Sequence, residues 1–315
     1  MVSLKTILHN LHDLFLRDDR ETIKKINFLY ETLSDLEKKV CLQEDRINSL
    51  FVNLMVMAPE VYKQEANYVL GHGLTNFPYN QIKKMEQVEY GFDNQKLLPY
   101  VVHNGKRLYF PRSYPLDFCQ RMYISYISEE CLLGGNYREH APHQYQTEKF
   151  KIEEEDILVD VGCAEALLSL DSIEKVAKVY LLEADPIWIP ALEATFENYK
   201  EKVEIINKYV SDEDTENTIT LESLLRDESG KRMFVKMDIE GAEVSVLKGS
   251  LDFLKECSNL KIACCTYHRE HDAEEIVALF NDMALNYEFS DGYMLFLGDT
   301  IKYPYFRRGL LRGWK

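Results

Sequence analysis

Residues 233–249 read MFVKMDIEGAEVSVLKG, which joins a short apolar strand, a cluster of acids and the start of a helix. Asp238, Glu240 and Glu243 fall within six residues, directly after the apolar run. Because an isolated carboxylate is costly to bury, such a cluster at the end of a strand is expected to lie in a polar cleft. Open α/β sheets bind their ligands at the carboxyl ends of strands. The stretch therefore predicts an α/β fold with a ligand site beside Asp238.

The same alternation of apolar strand and helix extends over most of the C-terminal half of the chain. The other predicted strands of this kind are 157–160, 178–185, 203–212 and 260–268. Near-continuous apolar strands that alternate with helices indicate a parallel sheet covered on both faces. The runs 286–290 and 293–298 are separated only by Asp291–Gly292, which predicts an antiparallel hairpin. The predicted fold class is α/β, a Rossmann-like parallel sheet closed by a C-terminal hairpin, similar to the class I methyltransferases.

The rest of the chain predicts three further segments. Residues 1–60 form an N-terminal helical segment whose apolar period over 26–57 fits either a coiled coil, hence a homodimer, or a helix lying on the protein itself. Residues 61–150 form a mixed accessory region, with a hairpin over 101–110 on an Asn-Gly turn. The main α/β domain spans 151–300, and 301–315 is interpreted as a solvated basic tail.

Composition narrows the class of protein. Hydrophobic residues make up 46% of the 315, and no apolar run reaches the ~18 residues of a membrane span, so we expect a globular protein without membrane association, located in the cytoplasm. The net charge of −16 argues against nucleic acid as a partner, because phosphate binding depends on clustered Lys and Arg. The seven cysteines show neither a disulfide framework nor metal-ligand spacing, and no metal site is predicted.

Two strand ends indicate the kind of cofactor. Asp160 and Gly162 end the first strand in ILVDVGCAEALLSL (157–170), and Glu183 ends the second in LLEADP. An acid at the second position can accept hydrogen bonds from the hydroxyls of an adenosine ribose. A dinucleotide fold needs G-x-G-x-x-G for its pyrophosphate, whereas this loop has one glycine and an acid, Glu165. A cofactor without phosphate and with positive charge, S-adenosylmethionine, fits this loop better.

With these strand ends placed, the chain resembles the FkbM family of S-adenosylmethionine-dependent methyltransferases over roughly 140–300. The matching blocks are ILVDVGCAEALLSL, VYLLEADP, YVSD (209–212), TLESLL (220–225), FVKMDIEGAEVSVLKGS (234–250) and TYH (266–268), with PHQY (142–145) upstream. The resemblance implies donor-binding roles for Asp160, Gly162, Glu183, Ser211 and Asp212, and catalytic roles for Asp238, Glu240 and His268. One position departs from the pattern, because Ala166 stands where the family usually has a glycine.

The resemblance implies an O-methyltransferase that acts on a hydroxyl of a sugar or another small molecule. A hydroxyl acceptor needs a base, and His268 suits that task by its ordinary pKa, with Asp238 as the competitor. Glu243 is explained by its place in a first helical turn, and His143 could reach the site from the accessory region. A metal on Asp238, Glu240 and His268 is conceivable, but the spacing does not require one. The alternatives are an assembly protein that keeps the fold without catalysis and, third, a nucleotide-sugar enzyme.

Overall fold

The computed structural model describes residues 64–65, 67–68, 85–130, 141–295 and 306–315. The predicted helix and coiled coil over 1–60 lie outside the described residues, so the homodimer stays a prediction. Residues Asn67–Lys315 form one compact unit. No helix in its described part is long and apolar enough to cross a bilayer.

The elements are numbered in chain order. The strands are β1 (Tyr90–Asp93), β2 (Leu98–His103), β3 (Lys106–Tyr109), β4 (Ile157–Val161), β5 (Lys178–Leu182), β6 (Val203–Ile206), β7 (Tyr209–Val210), β8 (Thr218–Ile219), β9 (Met233–Met237), β10 (Leu260–Cys265), β11 (Asn286–Phe289), β12 (Met294–Leu295), β13 (Phe306–Arg307) and β14 (Leu310–Trp314). The α-helices are α1 (Leu116–Glu129), α2 (Leu167–Ser172), α3 (Ile189–Thr195), α4 (Leu221–Leu225), α5 (Glu243–Gly249), α6 (Leu251–Glu256) and α7 (Asp272–Asp282).

Seven strands form the central sheet, in the order β11-β14-β10-β9-β4-β5-β6. The five strands from β10 to β6 in this order are parallel, and β14 is antiparallel to both of its neighbours. The last strand of the chain is thus inserted, reversed, beside the fifth of the parallel strands. This is the class I methyltransferase arrangement, and it confirms the predicted fold class.

The predicted C-terminal hairpin is wrong in its second strand. Strand β11 pairs with β14, whereas β12 pairs with β13 in a separate two-stranded ladder. The chain does turn at Gly292, where φ is +83°, but the apolar pair Leu310 and Leu311 competes better for the central sheet. Both leucines are fully buried, one in the core on each face of the sheet.

The interpretation of 301–315 as a solvated tail is also wrong for the described residues 306–315. Residues 310–314 form a strand of the central sheet, and the side chains of Arg307 and Arg312 are buried. The interpretation assumed that basic residues stay in solvent, but an arginine can be buried when its donors are satisfied. Arg312 donates to the carbonyl oxygens of Gln144 and Tyr145.

The β4 strand shows how the core is divided between the two faces of the sheet. Leu158 faces one core cluster, while Val159 and Val161 face the other, and all three are fully buried. The first cluster also contains Val101 and Tyr123, from β2 and α1, so the accessory segment covers that face. The predicted hairpin at Asn104–Gly105 is confirmed, since β2 and β3 are antiparallel on either side of it. The predicted boundary near residue 150 stays a prediction.

The third parallel strand is shorter than predicted. Strand β6 ends at Ile206, and the chain then leaves the sheet, so that β7 pairs with β8 in a small parallel ladder. The four other parallel strands end at the same edge of the sheet as β6 does. Their carboxyl ends bring the loops after β4, β5, β9 and β10 together, as expected for a ligand site in this kind of sheet.

Candidate functional site

Gly162 allows the loops after β4 and β9 to touch. Its φ is +72°, and a Cβ at this position would lie 2.0 Å from the backbone oxygen of Asp238. The Asp238 amide also donates to the oxygen of Val161, over 3.1 Å. Only glycine fits this place, because it has no Cβ and adopts positive φ without strain.

Asp160 stabilises this junction from beneath. Its side chain is buried, accepts a hydrogen bond from Ser169 over 2.7 Å, and pairs with Lys236 Nζ at 3.1 Å. Lys236 Nζ also donates to the backbone oxygen of Gly162 over 2.6 Å. Asp160 was predicted to bind the donor, but the residues that line the cavity described below do not include it. The contacts support a role in holding the Gly162 loop, and its donor contact stays a prediction.

Glu183 lies at the end of β5 with both carboxylate oxygens already oriented. Oε2 accepts from the amide of Ala164 over 2.9 Å, and Oε1 accepts from the amide of Asp185 over 2.8 Å. Asn207 fixes the same turn by donating to the backbone oxygens of Glu183 and Ala184. A carboxylate oxygen has two acceptor positions, so each oxygen of Glu183 can accept one further hydrogen bond.

Ser211 and Asp212 were predicted to end the third strand, and that placement is wrong because β6 ends at Ile206. Ser211 donates to Asp212 over 3.1 Å, and neither side chain is part of the cavity wall. Lys208, Tyr209 and Val210 line the cavity instead, with the Tyr209 side chain 64% exposed. The predicted contact of Ser211 and Asp212 with the donor stays a prediction.

Ala166, which stands where a glycine is usual, has a φ of +59° and is buried just before α2. This is the left-handed region, where a residue with a Cβ is less stable than glycine by about 1–2 kcal/mol. The backbone is therefore strained at Ala166, where the loop after β4 ends and α2 begins.

Asp238 is the centre of a buried polar cluster. Its carboxylate accepts from the hydroxyls of Tyr145, over 3.0 Å, and Tyr267, over 3.2 Å. The Nε2 atoms of His143 and His268 each lie 3.4 Å from it. Burial alone would raise the pKa of Asp238, but the hydrogen bond and charge of His143, with the charges of Lys236 and His268, lower that pKa well below its usual range. Asp238 is therefore a stable anion.

His268 lies between acids. Its Nδ1 lies 2.8 Å from Glu243 Oε1, while its Nε2 faces Asp238. Burial opposes the charged ring, but the hydrogen bond to Glu243 and the charges of Asp238, Glu243 and Glu240 raise the pKa of His268. Glu243 does begin a helix, as the sequence suggested, but it is fully buried and also accepts from the amide of Ile239. Its position in the helix alone does not account for it.

The Glu240 side chain is 94% exposed, and its carboxylate lies 3.7 Å from His268 Nε2. Its backbone has a φ of +54° and forms part of the cavity wall. The catalytic roles predicted for Glu240 and His268 stay predictions. Glu240 lines the cavity, whereas His268 is not among the residues that line it.

A single cavity of about 500 Å³ joins these strand ends. Gly162, Glu183 and Tyr209 line one part of it, and His143, Tyr145 and Asp238 line another. Such a volume is within the ~300–1,000 Å³ typical of small-molecule sites. Among the described residues of the wall, seven are acids and two are lysines, so the cavity favours neutral or cationic ligands.

The sequence suggested that His143 could reach the site from the accessory segment, and His143 does line the cavity, but sequence reasoning missed the other residues that this segment contributes. Tyr126, Glu129 and Glu130, from the end of α1, line the cavity together with Tyr145. At the end of an amphipathic helix, acids look like ordinary solvated residues. Only the density of aromatic residues before the main domain could have indicated this wall.

Two groups of side chains come close enough to hold a metal ion. One comprises His143, Asp238 and Cys265, and the other Asp238, Glu243 and His268; in each, the ligand atoms lie within 4.8 Å of one another. Both share Asp238, whose oxygens already accept two tyrosine hydroxyls. The sequence suggested Glu240 as the third ligand of the second group, whereas the structure places Glu243 there.

Comparison with known proteins identifies a family for this chain. The model of the methyltransferase FkbM domain matches residues 124–289, more than half of the chain. Among solved structures, the chain is similar to a methyltransferase FkbM from Methylobacillus flagellatus, at 20% identity and a TM-score of 0.41, over 52% of this chain and 44% of that one. The match thus spans less than half of the Methylobacillus protein.

A second similar structure is a precorrin-6y C5,15-methyltransferase from Geobacter metallireducens. Its identity is 14% and its TM-score 0.36, over 53% of this chain and 84% of that one. A third is a protein of Pyrococcus horikoshii described as a putative RNA methyltransferase, with 12% identity and a TM-score of 0.32, over 51% and 73% of the two chains. No curated protein matches the chain significantly.

Proposed function

The chain belongs to the FkbM methyltransferase family, and we propose that it transfers a methyl group from S-adenosylmethionine to a hydroxyl oxygen of a sugar or another small molecule. The observation that carries the proposal is that Gly162, Glu183 and Asp238, from three neighbouring strand ends, line one cavity. The proposal assigns Gly162 to the donor loop, Glu183 to the ribose and Asp238 to the reacting groups.

The residues present fit this donor. Gly162 leaves the loop without a Cβ, and Glu183 has preoriented oxygens for two ribose hydroxyls. The loop after β4 has one glycine, Gly162, in GCAEAL, whereas a pyrophosphate site needs the glycines of G-x-G-x-x-G. Bound S-adenosylmethionine supplies an electrophilic methyl group on a sulfonium centre. The chain's contribution is to orient the acceptor against that methyl group and to remove the acceptor proton.

His143 is the residue of the cavity wall best suited to remove that proton. Its Nε2 is held between the Tyr145 hydroxyl, at 3.0 Å, and the Asp238 carboxylate, at 3.4 Å. Asp238 binds a proton too weakly to serve as the base, and its carboxylate instead holds the His143 ring in place. His268 has a raised pKa and is outside the cavity wall, so it serves the site better as a charged partner of Asp238.

Binding of S-adenosylhomocysteine tests the donor site directly. We expect titration calorimetry to show binding to the wild type and a loss of about tenfold or more for Glu183→Gln, which removes the charge from one ribose acceptor. Glu193→Gln makes the same chemical change on the exposed side of α3 and should bind like the wild type. No binding to the wild type at millimolar ligand would favour the assembly protein, and tighter binding of a nucleoside diphosphate would favour the nucleotide-sugar enzyme.

Methyl transfer to a panel of hydroxyl compounds, followed with a labelled donor, tests the base. His143→Gln should lower the transfer rate by about 10²–10⁴-fold and leave the affinity for S-adenosylhomocysteine unchanged. His268→Gln should retain most of the rate at a temperature where it stays folded. The opposite ranking of the two variants would restore His268 as the base.

A further inference from the structure

The end of helix α1 places two carboxylates in an unfavourable position. Glu129 is the last residue of this 14-residue helix and Glu130 is its C-cap. A helix C-terminus carries a partial negative charge, so acids there are repelled. Both side chains are also buried, which adds the cost of removing a charge from water.

One of these carboxylates has an oxygen that no protein group satisfies. Glu130 is 9% exposed and lines the cavity, and its Oε2 is buried without a hydrogen-bond partner in the part of the chain that the structure describes. A buried acceptor without a partner destabilises the folded protein, and more so when it is charged. Burial, followed by the charge of Glu165, raises the pKa of Glu130 well above its usual range.

Glu129 connects this pair of acids to the reacting groups. Its Oε2 lies 3.9 Å from His143 Nδ1, and its Oε1 accepts from Ser125 over 2.5 Å. The base proposed above therefore lies between Glu129 on one side and Asp238 on the other. The donor is assigned to the other part of the cavity, around Glu183. Glu129 thus belongs to the part of the cavity where the acceptor must enter. Glu130 follows it at the end of the helix and lines the same cavity, closer to Glu165.

We propose that Glu129 and Glu130 bind a positively charged amino group on the methyl acceptor, so that the substrate is a hydroxyl compound that also carries an amine, such as an amino sugar. This inference rests on the proposed function, because it assigns the acceptor of the same site. A cation there occupies the unpartnered oxygen of Glu130 and removes the repulsion between the acids and the helix end. The same acids repel a carboxylate or phosphate on the acceptor.

The test uses four methyl glycosides as probes, on the complex of the full chain with S-adenosylhomocysteine. They are the glycosides of glucosamine, N-acetylglucosamine, glucose and glucuronic acid, which differ in the charge of one substituent. Saturation-transfer NMR measures weak binding of each. We expect the amine to bind at least about tenfold more tightly than its acetylated form, and the acid to bind most weakly.

The variant Glu129→Gln/Glu130→Gln should lose the preference for the amine, while Glu193→Gln keeps it. Circular dichroism and binding of S-adenosylhomocysteine show whether the double variant is folded. Equal or tighter binding of the neutral or acidic glycosides, or no binding of the amine, would overturn the inference.

The donor also carries an ammonium group, which is a second candidate for the cation that Glu129 and Glu130 bind. A second set of binding measurements distinguishes the donor from the acceptor. If the double variant weakens binding of S-adenosylhomocysteine but not of its analogue without the amine, the carboxylates hold the donor, and the assignment to the acceptor is wrong. Failure of the wild type to bind S-adenosylhomocysteine is a different result, since it contradicts the proposed function itself and this inference with it.

Discussion

Glu243 Oε1 lies 2.8 Å from His268 Nδ1, and the two side chains are 0% and 6% exposed. The loop after β10 is therefore joined to the start of α5 by a buried charged hydrogen bond. The same carboxylate oxygen accepts from the amide of Ile239, next to Asp238. Through this contact Glu243 fixes the ring that faces Asp238, and it acts as a positioning residue.

Glu243→Gln should lower the pKa of His268 and reduce the dependence of stability on pH. The folded pKa of His268 is raised above its ordinary value of about 6.5, so its stabilising contribution is full below about pH 6.5 and is lost as pH rises through the folded pKa. Glutamine keeps an acceptor oxygen but removes the charge. NMR titration of the imidazole and urea unfolding at several pH values measure the two effects.

Glu240→Gln is the matched control for that prediction. The Glu240 carboxylate is 94% exposed and 3.7 Å from His268 Nε2, so water screens its charge. It should change the His268 titration much less than Glu243→Gln does. Equal effects of the two variants would mean that the buried hydrogen bond does not set the pKa.

Gly162→Ala should destabilise the protein by about 4 kcal/mol or more and abolish binding of S-adenosylhomocysteine. The new Cβ would lie 2.0 Å from the backbone of Asp238, so the loops after β4 and β9 would have to separate. Gly105→Ala is the control, since Gly105 has a similar φ of +79° but nothing within 4 Å of the added Cβ. It should cost only the left-handed strain, about 1–2 kcal/mol. Urea unfolding that gives the two variants equal losses would contradict the close approach.

The strand ends at Gly162, Glu183 and Asp238 could be predicted from the sequence for a physical reason. Parallel strands buried on both faces form continuous apolar runs, and the polar residues that follow mark where each run leaves the core. The rule gave the wrong end for the third parallel strand, β6. The stretch VEIINKYVSD has no glycine or proline to mark the break after Ile206, and Tyr209 continues the pattern into a different ladder.

The part of the cavity wall that comes from the accessory segment could not be predicted, because it depends on contacts between distant parts of the chain. Glu129 and Tyr145 meet Asp238 only after the accessory segment folds onto the sheet, about a hundred residues away in sequence. Strand β14 failed for the same reason. LLRGW is short and lies among basic residues, in RRGLLRGWK. Its partners lie about 50 residues upstream, in β10, and nearer by, in β11.

Arg312→Lys should lower stability by about 1–3 kcal/mol and disturb the segment that carries His143. The Arg312 guanidinium donates to the carbonyl oxygens of Gln144, over 2.6 Å, and Tyr145, over 3.3 Å. A lysine has no planar fork for the two, which leaves one buried carbonyl without that donor. Urea unfolding and the His143 imidazole resonances provide the measurements.

Arg308→Lys is the control from the same C-terminal segment. Its guanidinium donates to the oxygen of Gly292 and stacks on the ring of Tyr293, not on the carbonyl oxygens of Gln144 and Tyr145 that Arg312 contacts. It should leave the His143 resonances unchanged. If Arg312→Lys also left them unchanged, β14 would not be what holds that segment in place.

Glu165→Gln should stabilise the protein increasingly as the pH rises. Burial raises the pKa of Glu165 to about 8, so the folded state keeps a proton that the unfolded chain loses near pH 4.3. Where the folded state binds more protons, stability falls with rising pH, here between about pH 4.3 and 8. Glutamine does not titrate, so the variant should be more stable than the wild type at pH 8, by on the order of 2 kcal/mol or more, and close to it at pH 4.

Urea unfolding across this pH range, with Glu193→Gln as an exposed control that follows the wild type, makes the comparison. Curves for Glu165→Gln and the wild type that stay parallel from pH 4 to 8 would show that Glu165 is not protonated in the folded protein. If the prediction holds, Glu165 reduces stability above pH 4.3 without any benefit to the fold. A cation bound in the cavity would offset that cost, because it favours the ionised carboxylate and releases the proton.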